Sequence, residues 1–380
     1  MPDEVIWTFP GATPAIIPSL KALCRNDKGT LKTSNNGNGT FDCECIVSSA
    51  GAPAGNTTTT AAAPATPAAP AAPAPTPSSE IVSSMFAAAS GPSDFEYNEH
   101  LIPLKSGHSI SKGWTSWTEN EPKGVTWHWT AGQTIESCRE LLGGPNAKRK
   151  GVASAHYCVG RSYEDGVDIY VGLENRSWHA GIEQKLRWDG ERSNSHTKGS
   201  RSTIGVETVN IGYARDGFPA KSDWIEVADT NCKWVMKVQP WTDEQMDMMI
   251  DVGKKIIARW PHIKVRDHHG HHDICPGYKS DVGGFDFARL LRGIYDDNSI
   301  VDVWTPLRSI KSRQRALIEL GYDLGEWADD GHWGDFSAKA LAAFQKESNS
   351  TVIGYWTTFT NWAIYDAFEK NGLNFADLSN

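Results

Sequence analysis

Short apolar runs of strand length, separated by helix-like periodic stretches, organise the middle of the chain. Val125–Thr130 reads as a buried strand, and Ile204–Val209 as a second. His156–Val159 and Val167–Val171 read as a strand pair joined by the turn Ser162-Tyr163-Glu164-Asp165-Gly166. Ile135–Leu142 reads as a short helix with Thr134 as its cap. Thr242-Asp243-Glu244-Gln245 is a capping box that opens a long amphipathic helix to about Trp260, with Met246, Met249, Ile250, Val252 and Ile256 inward. Val265 then leads into a histidine-rich loop. Strands and helices alternating in this way imply a mixed α/β sheet with helices packed on it.

From about Ile300 the pattern is helical. Leu307, Ile310, Ala316, Leu317 and Leu320 form an inward stripe that ends at Gly321, a second helix takes Phe336 to Gln345, and a third runs from Thr358 to Phe368. The expected fold is thus an α/β domain plus a small all-α three-helix domain. Residues from about Ala50 to Ser79 are almost entirely Ala, Pro, Thr, Gly and Ser, a composition that buries too little apolar surface to offset its ordering entropy. That stretch is a spacer, and the N-terminal region before it is expected to be largely irregular. The expected domains are 1–50, of no assigned role; 51–96, the linker; 97–297, α/β; and 298–380, helical.

At 380 residues, with 39% hydrophobic and 10% aromatic content, the chain supports more than one core. A net charge of −9 argues against non-specific nucleic-acid binding and gives no reason to adhere to anionic membranes. Seven cysteines at irregular spacing do not form a disulfide framework, and Cys24, Cys43 and Cys45 lack an evident fourth partner for a metal site. The start, Met1 to Trp7, carries acid where a signal peptide carries base, and no apolar run approaches the length of a membrane span. Synthesis in a cytoplasm, no membrane insertion and a monomer are the expectations.

The chemistry concentrates in histidines. His128 lies mid-strand between two tryptophans, and a crowded set follows far downstream: His262, His268, His269, His271 and His272. Neighbours along an extended chain point to opposite sides, so the whole set cannot reach one ion. Cys275 and Asp281 compete as a third donor. Two imidazoles and one carboxylate suit a catalytic zinc whose fourth position stays open. Lys279, between the last two candidate donors, and Glu207, in Thr203-Ile204-Gly205-Val206-Glu207, are the candidates for oxyanion partner and base. No Gly-x-Ser-x-Gly elbow, Walker loop or Rossmann glycine pattern is present.

Five stretches carry a family resemblance: Trp127-His128-Trp129-Thr130-Ala131, Ser154-Ala155-His156-Tyr157, Trp178-His179-Ala180-Gly181, Thr203-Ile204-Gly205-Val206-Glu207 and Gly270–Asp281. In this order they resemble the zinc N-acetylmuramoyl-L-alanine amidases, the family of phage amidase-type lysozymes and peptidoglycan recognition proteins. The resemblance implies Zn²⁺ as cofactor and His128, His271 and Asp281 as its ligands. Asp281 is preferred to Cys275 because in family members the ligand follows a lysine by two places, as Asp281 follows Lys279. It further implies Glu207 as catalytic base and Lys279 as catalytic oxyanion partner. His179 and Thr130 become candidates for substrate contact, Thr130 with the alternative of shaping its strand, and His156 is expected to pack within the sheet.

The C-terminal part resembles the three-helix peptidoglycan-binding module of wall hydrolases. It does so through Gln314-Arg315-Ala316-Leu317, Leu320-Gly321-Tyr322, Asp330-Gly331-His332-Trp333-Gly334 and Ala340–Gln345. Thr351-Val352-Ile353-Gly354-Tyr355-Trp356 departs from the module's usual second Asp-Gly turn. Together these imply hydrolysis of the amide between N-acetylmuramic acid and L-alanine in bacterial peptidoglycan. The implied setting is a phage endolysin made in the host cytoplasm and reaching the wall after membrane permeabilisation. The alternatives are a cytoplasmic amidase recycling anhydro-muropeptides and a recognition protein that binds without cutting. A module that only anchors predicts that loss of residues after about 298 spares cleavage of soluble muropeptides.

Overall fold

The computed structural model describes residues 4–12, 30–35, 41–47, 95–102, 114–117, 121–143, 153–180, 202–277, 279–348 and 354–379. The chain divides into two compact units, Met1–Pro75 and Thr76–Asn380. In the first, β1 (Glu4–Ala12), β2 (Thr30–Asn35) and β3 (Phe41–Val47) form an antiparallel sheet in the order β1-β3-β2. This sheet lies within the region expected to be largely irregular. Its strands do carry β-branched and aromatic residues, such as Val5, Ile6, Trp7 and Phe9. Pro10 and Gly11 inside β1, and a partner strand roughly thirty to forty residues away, hide the pairing from any local hairpin signal. Most of the linker, including the Ala/Pro/Thr-rich stretch, and the side chains of Cys24, Cys43 and Cys45 lie outside the described residues.

The second unit is built on a six-stranded mixed sheet. Its strands are β4 (Tyr97–Glu99), β6 (Gly124–Trp129), β7 (Tyr157–Val159), β8 (Val167–Ile169), β10 (Thr203–Thr208) and β13 (His268–Gly270), in the order β13-β6-β10-β7-β8-β4. β6, β10, β7 and β13 run parallel where they pair, and β7 and β8 are antiparallel. Two small pairs sit outside it: β5 (Trp114–Ser116) with β9 (Asn175–Ser177), and β11 (Ile225–Ala228) with β12 (Val235–Val238).

Side-chain alternation splits the central strands between two cores. Val125, Trp127, Tyr157, Val159, Ile204 and Val206 face α2 (Asp243–Arg259) and α4 (Phe287–Tyr295), against Met246, Met249, Val252, Leu290 and Ile294. The opposite face carries Cys158, which packs with Ile135 and Cys138 of α1 (Ile135–Leu142). Thr134 caps α1, and Thr242 with Gln245 closes the capping box of α2, as the local sequence predicts. The histidine-rich segment is not a loop. It forms β13 and the single helical turn α3 (His271–Ile274). His268-His269-Gly270 has no apolar pattern of its own, and β6 supplies the pairing that makes it a strand.

Three helices follow: α5 (Ile310–Glu319), α6 (Asp335–Glu347) and α7 (Thr358–Asn371). Their core of Leu317, Leu341, Phe344, Trp356, Ile364 and Phe368 also takes in Ala228 and Cys232, from β11 and the turn after it. Arg313 of α5 is buried against the same turn. Its guanidinium donates to the carbonyls of Leu307 (2.9 Å), Asp229 (2.7 Å) and Ala228 (3.2 Å). The helical part therefore packs directly on the α/β part. Sequence periodicity shows the helices but not this seam, because the residues meeting across it lie some eighty positions apart.

Candidate active site

β6 and β10 are parallel neighbours with Glu207 in register with His128. Both strands are buried, and their alternation turns Trp127 and Val206 to the α2–α4 core while His128 and Glu207 share the other face. β13, on the far side of β6, delivers His271 as the first residue of α3. The chain then returns so that the His272 amide donates to the Asp281 carbonyl. His128, His271 and Asp281 converge with one donor atom each within 4.8 Å of the others, and all three are buried. Asp281 Oδ2 is 3.1 Å from His128 Nδ1 and 3.0 Å from His271 Nδ1.

The hydrogen-bond wiring sets the tautomer of His128. His179 Nε2 lies 3.0 Å from the Thr203 carbonyl, which only accepts, so that nitrogen carries the proton. His179 Nδ1 is then the acceptor for His128 Nε2–H at 2.9 Å. His128 Nδ1 is left with a lone pair aimed at the cluster. A lone pair facing a carboxylate oxygen, with a second imidazole beside it and the buried His271 Nε2 without a hydrogen-bond partner, is a set rich in acceptors. The set suits a divalent cation of the zinc type. Burial, with His271 nearby, lowers the pKa of His128 to about 4, so the ring is neutral at pH 7. Burial raises that of Asp281, but His271 beside it outweighs this and holds the carboxyl well below its usual range.

The residues given metal, catalytic or substrate roles from sequence line one cavity of about 380 Å³: His128, Thr130, His179, Glu207, His271, Lys279 and Asp281. A second cavity, of about 260 Å³ at the helical seam, contains none of the three donors. His179 lines the cavity with its ring nitrogens engaged by His128 and the Thr203 carbonyl. Thr130 Oγ1 accepts from the Gly132 amide (3.1 Å) and so shapes the strand end.

The competing residues go elsewhere. His262 bonds the Pro122 carbonyl, His268 meets Trp127 and Tyr295, His269 meets Thr126, and His272 pairs with Asp273. Cys275 is buried beside Ala180 and Ile274, outside the donor cluster. His156 is held by Asn175, Ser177 and the Gly205 amide within the sheet.

Two features were not singled out from sequence. A Cβ on Gly205 would stand 2.2 Å from His179 Cγ, so glycine is what lets that ring lie against β10. Arg215, at the cavity rim, donates to the carbonyls of Ile211 (2.6 Å), Tyr213 (3.0 Å) and Ala131 (3.0 Å). Gly205 lies within a motif that carried the resemblance, whereas nothing local marks Arg215.

Residues 118–284 match the family model described as N-acetylmuramoyl-L-alanine amidase. No curated protein matches the chain. Among solved structures, the Escherichia coli N-acetylmuramyl-L-alanine amidase AmiD, in complex with anhydro-N-acetylmuramic acid-L-Ala-D-gamma-Glu-L-Lys, is 22% identical. The match covers 71% of this chain and 98% of that one, with a TM-score of 0.39. AmpDH3 from Pseudomonas aeruginosa is also 22% identical, over 71% of this chain and 99% of that one, with a TM-score of 0.36. PlyL is 14% identical, over 52% of this chain and 97% of that one, with a TM-score of 0.33. Residues 118–284 thus carry the likeness to the N-acetylmuramoyl-L-alanine amidase family.

Proposed function

We propose that the protein is a zinc-dependent hydrolase that cuts the amide between the lactyl group of N-acetylmuramic acid and L-alanine in bacterial peptidoglycan. The observation that carries this reading is the convergence of His128, His271 and Asp281 in a cavity shared with Glu207 and Lys279. His128, His271 and Asp281 would hold the metal, with His179 fixing the His128 ring. Zinc bound by two neutral imidazoles and a carboxylate supplies Lewis acidity and brings the pKa of water towards ~7.

The remaining work falls to the chain's own groups. Glu207 accepts the proton of the attacking water and then passes it to the departing alanine nitrogen. The Lys279 ammonium stabilises the negative charge that develops on the carbonyl oxygen. The carboxy-terminal helices, 298–380, would raise the local concentration of enzyme on an insoluble wall. Trp327 there is 73% exposed and offers a flat face to polymer. The biological setting proposed is a phage endolysin. No helix among the described residues is long and apolar enough to cross a membrane.

Mass analysis of digested sacculi and of soluble anhydro-muropeptides is the deciding experiment. New alanine amino termini from sacculi are expected, and their absence, with binding intact, would favour a recognition protein. Cleavage confined to soluble fragments would favour a recycling amidase. Glu207→Ala should retain zinc yet lose ~10²–10⁴ in rate. Full activity in that variant would remove the base assignment.

A further inference from the structure

We propose that the first turn of α7, in the carboxy-terminal helical part, positions the segment 270–281 that carries two of the three metal-ligand candidates. The helices would then be part of the catalytic apparatus as well as an anchor. The proposal rests on the amidase reading above.

The contacts across the seam gather on this segment. Asp273, fully buried, receives the Thr358 amide on Oδ1 and the Gly270 amide on Oδ2, each at 2.7 Å. Thr358 is the first residue of α7, so this carboxylate sits where a helix presents unpaired N–H groups and positive potential. Phe359, next along, packs on Ala180, Ile274 and Cys275, with its ring 5.7 Å from that of His269. At the other end of the segment, Gly277 takes a positive φ of 75°, and a Cβ there would stand 2.6 Å from the Tyr355 ring. Thr230 bridges the two parts, accepting from the Gly277 amide (3.1 Å) through its hydroxyl and from the Trp356 amide (2.7 Å) through its carbonyl.

The mechanical consequence follows from chain connectivity. Asp273 stands two residues from His271 on the same turn, and the His272 amide ties that turn to the Asp281 carbonyl. Moving α3 therefore moves both donors. A tether would need none of these contacts, and an anchor has no reason to place them under the donor cluster. Asp273 belongs neither to the donor cluster nor to the cavity around it, so it is a positioning residue, and Thr358 acts through it.

Thr358→Pro tests the idea in the full-length protein. It removes one N–H at the helix position that best tolerates proline, and Thr357 before it already has the extended backbone that proline requires, with φ −131° and ψ 170°. Thr358→Val is the control: it keeps the amide, while both variants lose the hydroxyl that accepts from Trp304 Nε1. The readouts are zinc retention against a competing chelator, the absorption spectrum of the cobalt-substituted protein, and kcat and KM on a soluble muropeptide.

Relative to T358V, T358P should hold zinc about 10- to 100-fold more weakly, the usual loss when a group orienting a ligand is removed. It should shift the cobalt spectrum and lower kcat with KM unchanged. Equality of the two variants in all three readouts would overturn the proposal. Should T358P fail to fold, Phe359→Ala carries the same comparison. A wild-type protein that neither binds zinc nor cleaves would instead remove the amidase reading, and this inference with it.

Discussion

Single residues decide the chemistry by where their atoms point. Asp281 and Cys275 are both buried near the end of the same segment, yet only Asp281 faces the two imidazoles. Asp281→Ala should therefore abolish stoichiometric zinc in the purified protein, measured by metal analysis, while Cys275→Ser retains it. The reverse pattern would transfer the ligand role to the thiolate. Gly205 is a second test at this scale. An added methyl would meet His179 at 2.2 Å, where no flexible side-chain tip can yield. Gly205→Ala should displace that ring, free the His128 tautomer and lower zinc affinity by about 10-fold or more, with the circular dichroism spectrum unchanged. Unaltered affinity would show that His179 does not orient His128.

Between elements, burial decides which polar contacts matter. Two arginines cross the seam between the α/β part and the helices. Arg266 makes a bidentate pair with Asp366 at 2.7 and 2.8 Å, but both side chains are about half exposed. Arg313 is 7% exposed and satisfies three carbonyls. An exposed pair contributes about 0–1 kcal/mol, whereas stranding buried acceptors costs about 1–3 kcal/mol for a group left unsatisfied. Arg313→Ala should thus lower the unfolding free energy by roughly 2–4 kcal/mol in urea, and Arg266→Ala by about 1 kcal/mol or less. Comparable losses from the two would contradict a buried seam held by Arg313.

For the whole molecule, neutral buried histidines tie stability to pH. Burial lowers His156 to about 4 and His268 and His269 to about 3, and His128 also lies near 4. An unfolded histidine titrates near ~6.5. As pH falls below that value the unfolded chain takes up protons that the folded chain refuses, so stability present above pH ~6.5 is lost on acidification. His272 opposes the trend: burial lowers its pKa, but Asp273 raises it further, so its contribution is present in acid and lost at higher pH. Asp273, at about 2, and Asp281 add stability above pH ~3.8 that is lost only beneath it. The metal-free protein should therefore melt at progressively lower temperature from pH 6.5 to 4, followed by circular dichroism. A flat profile would show that these rings are not buried and neutral.

Much was legible locally. Caps at Thr134 and Thr242, the apolar runs of β6 and β10, and the three late helices follow from propensity and periodicity, which need only a few neighbouring residues. The donor candidates were legible as residue types at motif spacing. What local pattern could not settle was direction: which of five histidines turns inward, that His179 serves His128, and that Thr358 reaches Asp273. Those outcomes depend on strand register, on the pairing of β13 with β6, and on contacts between residues 51 and 85 positions apart. Sequence determined the elements and the chemical inventory because both are short-range properties. Tertiary packing alone decided which atoms meet, because convergence is a property of the folded whole.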